Sequence, residues 1–168
     1  MKTIVNVDNN WGIGIGDSLL NHIPADMKFF KEKTTGNVVV MGKTTFLTFP
    51  GQKALPNRVN IVLTTDPDWS AENVIVCHSI EELFAQLERY DSNTVYVIGG
   101  SKVYDELLPY CDTAFVTKVD SSKTADKFFP NLDEKPEWEI VFEGEELEHK
   151  DLKFKFTTYQ KSNYVTLL

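Results

Sequence analysis

Two arginines, two cysteines and no long apolar run set the first limits on this sequence of 168 residues. Cys77 and Cys111 are too few for a disulfide framework, and without a CxxC or a Cys/His pairing they offer no zinc site. Each adjoins an apolar segment, so small buried thiols in a reducing compartment are expected. No apolar stretch approaches the ~20 residues of a membrane helix, and the first one, at residues 3–7, is too short for a secretory leader. A soluble cytoplasmic protein is expected. Positive charge is scarce as well: 17 Lys plus Arg face 25 Asp plus Glu, a net charge of −8. Such a field repels nucleic acid and anionic membranes, so an anionic partner is accommodated only where cations gather locally.

What is present is globular: 42% apolar and 25% charged residues in a length that suits one domain over residues 1–168. Short β-branched runs recur at residues 3–7, 37–41, 59–64, 73–77, 94–98 and 113–119. Val38-Val39-Val40-Met41 and Val95-Tyr96-Val97-Ile98 are apolar at successive positions, as in strands covered on both faces. Helical signals fall between them. Residues 24–33 open on Pro24 with Asp26 in the first turn. Residues 79–90 begin with Ser79 and Glu82 at capping-box spacing, and residues 101–108 stop before Pro109. The alternation predicts an α/β domain with a largely parallel sheet. Beyond Pro130, residues 138–142 and 152–160 flank the acidic Glu143-Gly144-Glu145-Glu146, which reads as an antiparallel hairpin with a solvated turn.

Gly12, Gly14 and Gly16 follow the first strand, but GxGxG with no helix at the third glycine is not a dinucleotide fingerprint. A mobile loop is expected there. Gly99-Gly100-Ser101-Lys102 and Gly42-Lys43-Thr44-Thr45 each join a buried strand to a helix, where ligands collect in open parallel sheets. Glycines let a ligand approach the backbone, and helix starts offer free N–H groups. One such turn is commonly structural. Two turns carrying Lys43 and Lys102 in an acidic chain point to one long anionic ligand, and a dinucleotide phosphate fits. Asp26 would ordinarily serve the helix dipole. Beside Phe29 and Phe30, it would instead suit an amidine-like heterocycle edge. Arg58, ahead of the strand at 59–64, offers a planar fork for a ligand carboxylate, with a surface ion pair as the plainer alternative.

In order along the chain, Gly12-Ile13-Gly14, Ile23-Pro24-Ala25-Asp26, Val40-Met41-Gly42-Lys43-Thr44-Thr45-Phe46, Leu55-Pro56-Asn57-Arg58, Val97-Ile98-Gly99-Gly100-Ser101-Lys102-Val103-Tyr104, Thr117 and Asp126 with Phe128-Phe129-Pro130 resemble dihydrofolate reductase of the bacterial type. The resemblance implies a three-layer fold with an eight-stranded, mainly parallel sheet, helices on both faces, and a cis Gly99–Gly100 bond. It implies NADPH-dependent reduction of 7,8-dihydrofolate to tetrahydrofolate by a monomer. Asp26 matches the acid that holds the pterin 2-amino and N3 edge, partnered by Thr117. Ile4, Val5, Phe30, Phe49, Leu55 and Arg58 match the remaining substrate positions, with Arg58 on the glutamate α-carboxylate. Ile13, Gly14, Leu19, Gly42, Lys43, Thr44, Thr45, Thr64, Thr65, Ile98, Gly99, Gly100, Ser101, Lys102, Val103 and Tyr104 match the cofactor positions, with Lys43 and Thr65 as readers of the 2′-phosphate. No metal is implied.

The chain departs from the family's pattern at three places. Leu20-Asn21 stand where Pro-Trp is usual, Lys43 replaces the commoner Arg, and Thr44 fills a position where a further base occurs. NADPH is expected over NADH, because a bare ribose is better served by an Asp or Glu and neither cofactor turn is expected to offer one. Two rivals share the cofactor turns: a riboflavin-pathway reductase of the same fold and a non-catalytic nucleotide-binding module. Neither needs the series Asp26, Phe30 and Arg58.

Overall fold

The β-branched runs pair side by side, and their successive apolar residues are shared between two faces. The computed structural model describes residues 1–162, so the last six residues of the expected single domain lie outside the described ones. The strands are β1 (Lys2–Val7), β2 (Gly12–Ile15), β3 (Ser18–Leu19), β4 (Val38–Gly42), β5 (Val59–Leu63), β6 (Val74–Cys77), β7 (Val95–Gly99), β8 (Thr113–Val119), β9 (Lys127–Phe128), β10 (Trp138–Glu143), β11 (Leu147–His149) and β12 (Leu152–Lys161). The helices are α1 (Pro24–Thr34), α2 (Lys43–Leu47), α3 (Ile80–Leu87) and α4 (Ser101–Leu107).

The main sheet runs β10-β12-β8-β1-β7-β4-β5-β6, with β11 added beside β12. From β8 to β6 every pair is parallel, and β12 meets β8 and β10 antiparallel. Alternation sorts the side chains. Val38 and Val40 of β4 join Val5, Val7, Val95 and Val97 in one core with Leu83 of α3 and Val103 and Leu107 of α4. Val39 and Met41 join Phe46 of α2 and Val62 in a second core on the opposite face. Phe29 of α1 packs on Phe115 and Phe156, at 6.1 and 4.7 Å between ring centroids. Helices therefore cover both faces, as the consecutive apolar positions required.

The start of α3 follows its sequence signal, with one change. Ser79 Oγ accepts the Glu82 N–H at 3.1 Å, while the Glu82 carboxylate accepts from the N–H of His78 at 2.6 Å, one residue earlier than a capping box would have it. Both cysteines are free and buried, and burial pushes the Cys111 thiol up to about 12.

Two expectations need correction. The Gly12–Gly16 segment is a hairpin, β2 with β3, in a separate three-stranded sheet with β9. Gly16 takes its turn at φ 55°, and the Asp126 carboxylate accepts the Gly16 N–H. The acidic stretch after β10 is not the tip of a hairpin either. Gly144 N–H donates to Phe156 O at 2.8 Å, keeping the chain on the edge of β12 as it passes to β11, and the tight turn falls at Lys150, φ 54°. One long strand, β12, thus serves two short partners. Among the described residues, no helix is long and apolar enough to cross a membrane.

Candidate active site

Proline at the start of α1 and a backbone bond from Asp26 N–H to Ile23 O (3.0 Å) set the first helical turn. Across from it, β1 and β8 run parallel with Asn6 opposite Thr117, near the carboxyl ends of both strands. That register places the two side chains on one face of the sheet. The Thr117 hydroxyl donates to Asp26 Oδ1 at 2.6 Å, and the Asn6 amide donates to Oδ2 at 3.0 Å. Burial raises the Asp26 pKa above the ordinary carboxylate range, and the bonds from Thr117 and Asn6 pull against it without cancelling it. Asp26 therefore exchanges its proton at higher pH than a solvated aspartate. Nearby, the buried Tyr104 hydroxyl donates to Ile4 O at 2.7 Å. Burial, then the Asp26 charge, raises that phenol's pKa, so it remains a donor.

Arg58 precedes β5 and is held from two directions. Its Nε donates to Pro56 O at 2.9 Å and its Nη1 donates to Thr34 Oγ1 at 3.1 Å. The Thr34 hydroxyl in turn donates to Phe30 O at 2.8 Å. The fork of Arg58 is thus tied to the helix that carries Phe30 and Asp26. Phe49 and Leu55 pack at the border of the second core. Val5 differs from Ile4: its side chain faces the core shared with α4, on the face away from Asp26.

The glycine turns meet at adjacent strand ends, with Met41 of β4 opposite Gly99 of β7. The Gly99–Gly100 peptide is cis. Gly99 has φ 135°, and a Cβ on Gly100 would lie 3.2 Å from Thr45 Oγ1, so both positions favour glycine. A Cβ on Gly42 would lie 3.2 Å from Val103. Ile98, Ser101 and Lys102 continue this edge, with Lys102 exposed and Tyr104 turned inward. Thr64 and the exposed Thr65 follow β5, beside Lys43 and Thr44 after β4. Ile13, Gly14 and the exposed Leu19 lie apart from these, in the three-stranded sheet.

A family profile described as Dihydrofolate reductase matches residues 1–161. The chain belongs to the dihydrofolate reductase family. It is 33% identical over 162 residues to the dihydrofolate reductase of Bacillus subtilis, covering 95% of this chain and 94% of that one. A dihydrofolate reductase type 3 of Salmonella typhimurium is 38% identical over 131 residues, 78% of each chain. Among solved structures, a dihydrofolate reductase from Enterococcus faecalis complexed with NADP(H) and RAB-propyl is similar at a TM-score of 0.84 and 40% identity, covering 96% of both chains.

Within this family frame, three residues escaped the sequence reading, Asn6, Thr34 and Asp66, and a fourth that it had singled out, Asn21, has an unexpected setting. Asn6 was hidden inside an apolar strand, although a lone amide among β-branched residues was itself a signal. Thr34, which steers Arg58, looked like an ordinary helix end. Asn21 is buried with neither side-chain amide atom bonded to protein, a burial that typically costs ~1–3 kcal/mol. Asp66 overturns an explicit expectation: the turn after β5 does offer an acid, and its Oδ2 lies 2.9 Å from Lys43 Nζ.

The bond from Asn6 favours the ionised form of Asp26. Asn6→Ala should therefore move the Asp26 titration to still higher pH, followed by carboxyl-carbon NMR of the free protein. An unchanged or lowered titration would show that the amide does not stabilise the carboxylate.

Proposed function

We propose that this chain reduces 7,8-dihydrofolate to 5,6,7,8-tetrahydrofolate with Asp26 as the acid that governs the reaction, Arg58 as the anchor for the substrate carboxylate, and the ends of β4, β5 and β7 as the cofactor edge. The chain is an NADPH-dependent oxidoreductase of its family. The observation that carries the assignment of roles is the desolvated Asp26 carboxylate held by Thr117 and Asn6 at the carboxyl ends of parallel strands.

The residues present fit a dinucleotide. Gly99 and Gly100 leave a backbone-walled crevice against Thr45 that a Cβ would narrow, and Lys43 and Lys102 lie in the first turns of the two helices that follow these strand ends. These residues would hold NADPH, which would supply the hydride for C6 of the pterin. Asp26 does the rest of the electrostatic work. Its two oxygens each accept one bond from protein and retain a lone pair for the N3 and 2-amino edge. The negative charge, weakly screened by its surroundings, raises the proton affinity of the ring and favours protonation at N5. Arg58 is oriented by Pro56 O and Thr34, leaving guanidinium N–H groups for a carboxylate. Two buried free thiols fit a reducing cytoplasm.

Asp26→Asn should fold yet lose about 10²–10⁴-fold in turnover at neutral pH, with partial recovery at lower pH, where dihydrofolate is already protonated. A pH–rate profile checks this, and near-wild-type turnover at neutral pH would remove Asp26 from the mechanism. Arg58→Gln should raise KM for dihydrofolate by the loss of a charge-assisted bond, ~1.5–3 kcal/mol, while NADPH binding stays unchanged. Equal losses for both ligands would assign Arg58 to the cofactor.

A further inference from the structure

The cation expected to read a 2′-phosphate is already engaged. Lys43 opens α2 after β4, Asp66 follows β5, and the parallel register of Gly42 with Leu63 brings the two strand ends together. Lys43 Nζ lies 2.9 Å from Asp66 Oδ2, with the side chains 33% and 41% exposed, so the pair stands open to solvent. The carboxylate is held in place by its own loop. Oδ1 accepts the Asp68 N–H at 3.1 Å, and the Asp66 N–H donates to Thr64 Oγ1 at 3.2 Å. His78, whose Nδ1 lies 3.0 Å from Thr64 O, is the other titratable neighbour that acts on Asp66. The Lys43 bond, followed by the Asp68 amide, keeps the Asp66 carboxyl below the ordinary carboxylate range, so it is ionised throughout the neutral range.

Two opposed recognition chemistries therefore share one turn. A lysine with a neighbouring hydroxyl attracts a ribose 2′-phosphate. A fixed carboxylate accepts a hydrogen bond from a free ribose 2′-hydroxyl and repels a phosphate dianion. The phosphate reaches Lys43 only by displacing Asp66 or by sharing the ammonium with it. We propose that Asp66 is a specificity-determining residue, which weakens NADPH and favours NADH by competing for Lys43, so that the pocket separates the two cofactors less than Lys43 and Thr65 alone would. The proposal rests on the reading of this turn as the adenosine-ribose end of the cofactor edge.

Asp66→Asn is the informative change, because the amide keeps an Oδ1 acceptor for the Asp68 N–H and removes the charge together with the acceptor that faces Lys43. Dissociation constants for NADPH and for NADH, measured by quenching of intrinsic tryptophan fluorescence, are compared in the wild type, Asp66→Asn, Lys43→Ala and the double variant. Because the pair is exposed, the effect is modest: Asp66→Asn should tighten NADPH about 2- to 10-fold and weaken NADH about 2- to 5-fold. The gain for NADPH should shrink in high salt, and it should be smaller when Lys43 is already Ala, where only the direct repulsion of the phosphate is left to remove. If Asp66→Asn weakens NADPH, Asp66 positions Lys43 for the phosphate and the proposal is wrong. If the variant leaves the ratio of the two constants unchanged while Lys43→Ala weakens NADPH, the proposal is wrong and the reading of the turn stands. If Lys43→Ala changes neither constant, the turn is not the ribose site and both fail together.

Discussion

A carboxylate withdrawn from water is the constraint on which the site depends. Asp26 is brought over the sheet by the first turn of α1 and receives one protein hydrogen bond at each oxygen. Those two bonds do not restore what solvent would provide, so its pKa stays raised. The same shortfall is what makes the group useful. A negative charge with unspent acceptor capacity in a weakly screening environment acts on a bound heterocycle more strongly than a solvated aspartate does.

The parallel sheet makes this arrangement reproducible. Asn6 and Thr117 share a face because β1 and β8 are parallel and in register, and the same face carries the Phe29–Phe115 contact that seats α1. The next strands along, β7, β4 and β5, end at Gly99, Gly42 and Leu63, so the turns that follow them line up along one edge. Val38 to Met41, divided between two cores, ties that edge to the rigid centre of the domain. Substrate-facing and cofactor-facing residues are thereby fixed by one set of strand registers rather than by independent loops.

Most of the fold was legible because the strands are buried on both faces and announce themselves by uninterrupted β-branched runs. Pro24, Ser79 and Pro109 marked helix boundaries through backbone chemistry that tertiary contacts do not override. The errors came where pairing is non-local. Gly12 to Ile15 carries no strand-like run, and its strand exists because β9 lies across it, more than a hundred residues away. The acidic stretch after β10 reads as a turn by charge alone, whereas the bond from Gly144 to Phe156 O decides its path. At the site, Asp26, Thr117 and Arg58 were visible by type and order, but the donors that tune them were not. Asn6 and Thr34 become functional only through strand register and helix placement. Asp66 was missed although it directly follows Thr65, which the resemblance had already set beside Lys43; the bonds within its own loop, not its place in the sequence, hold its carboxylate where it meets the ammonium.

Because folding raises the Asp26 pKa above its unfolded value, the ionised group is held at a cost that is absent below the unfolded pKa and grows as pH rises toward the folded pKa. An uncharged amide at this position avoids that cost. Thermal unfolding of the wild type and Asp26→Asn across pH 4 to 8, without ligands, measures it directly. A buried carboxylate held for chemistry at the expense of stability predicts that the variant is the more stable at neutral pH, and that its advantage shrinks steadily toward pH 4. An advantage that does not change with pH, or a variant less stable at neutral pH than at acid pH relative to the wild type, would contradict the claim that Asp26 is held ionised against its surroundings.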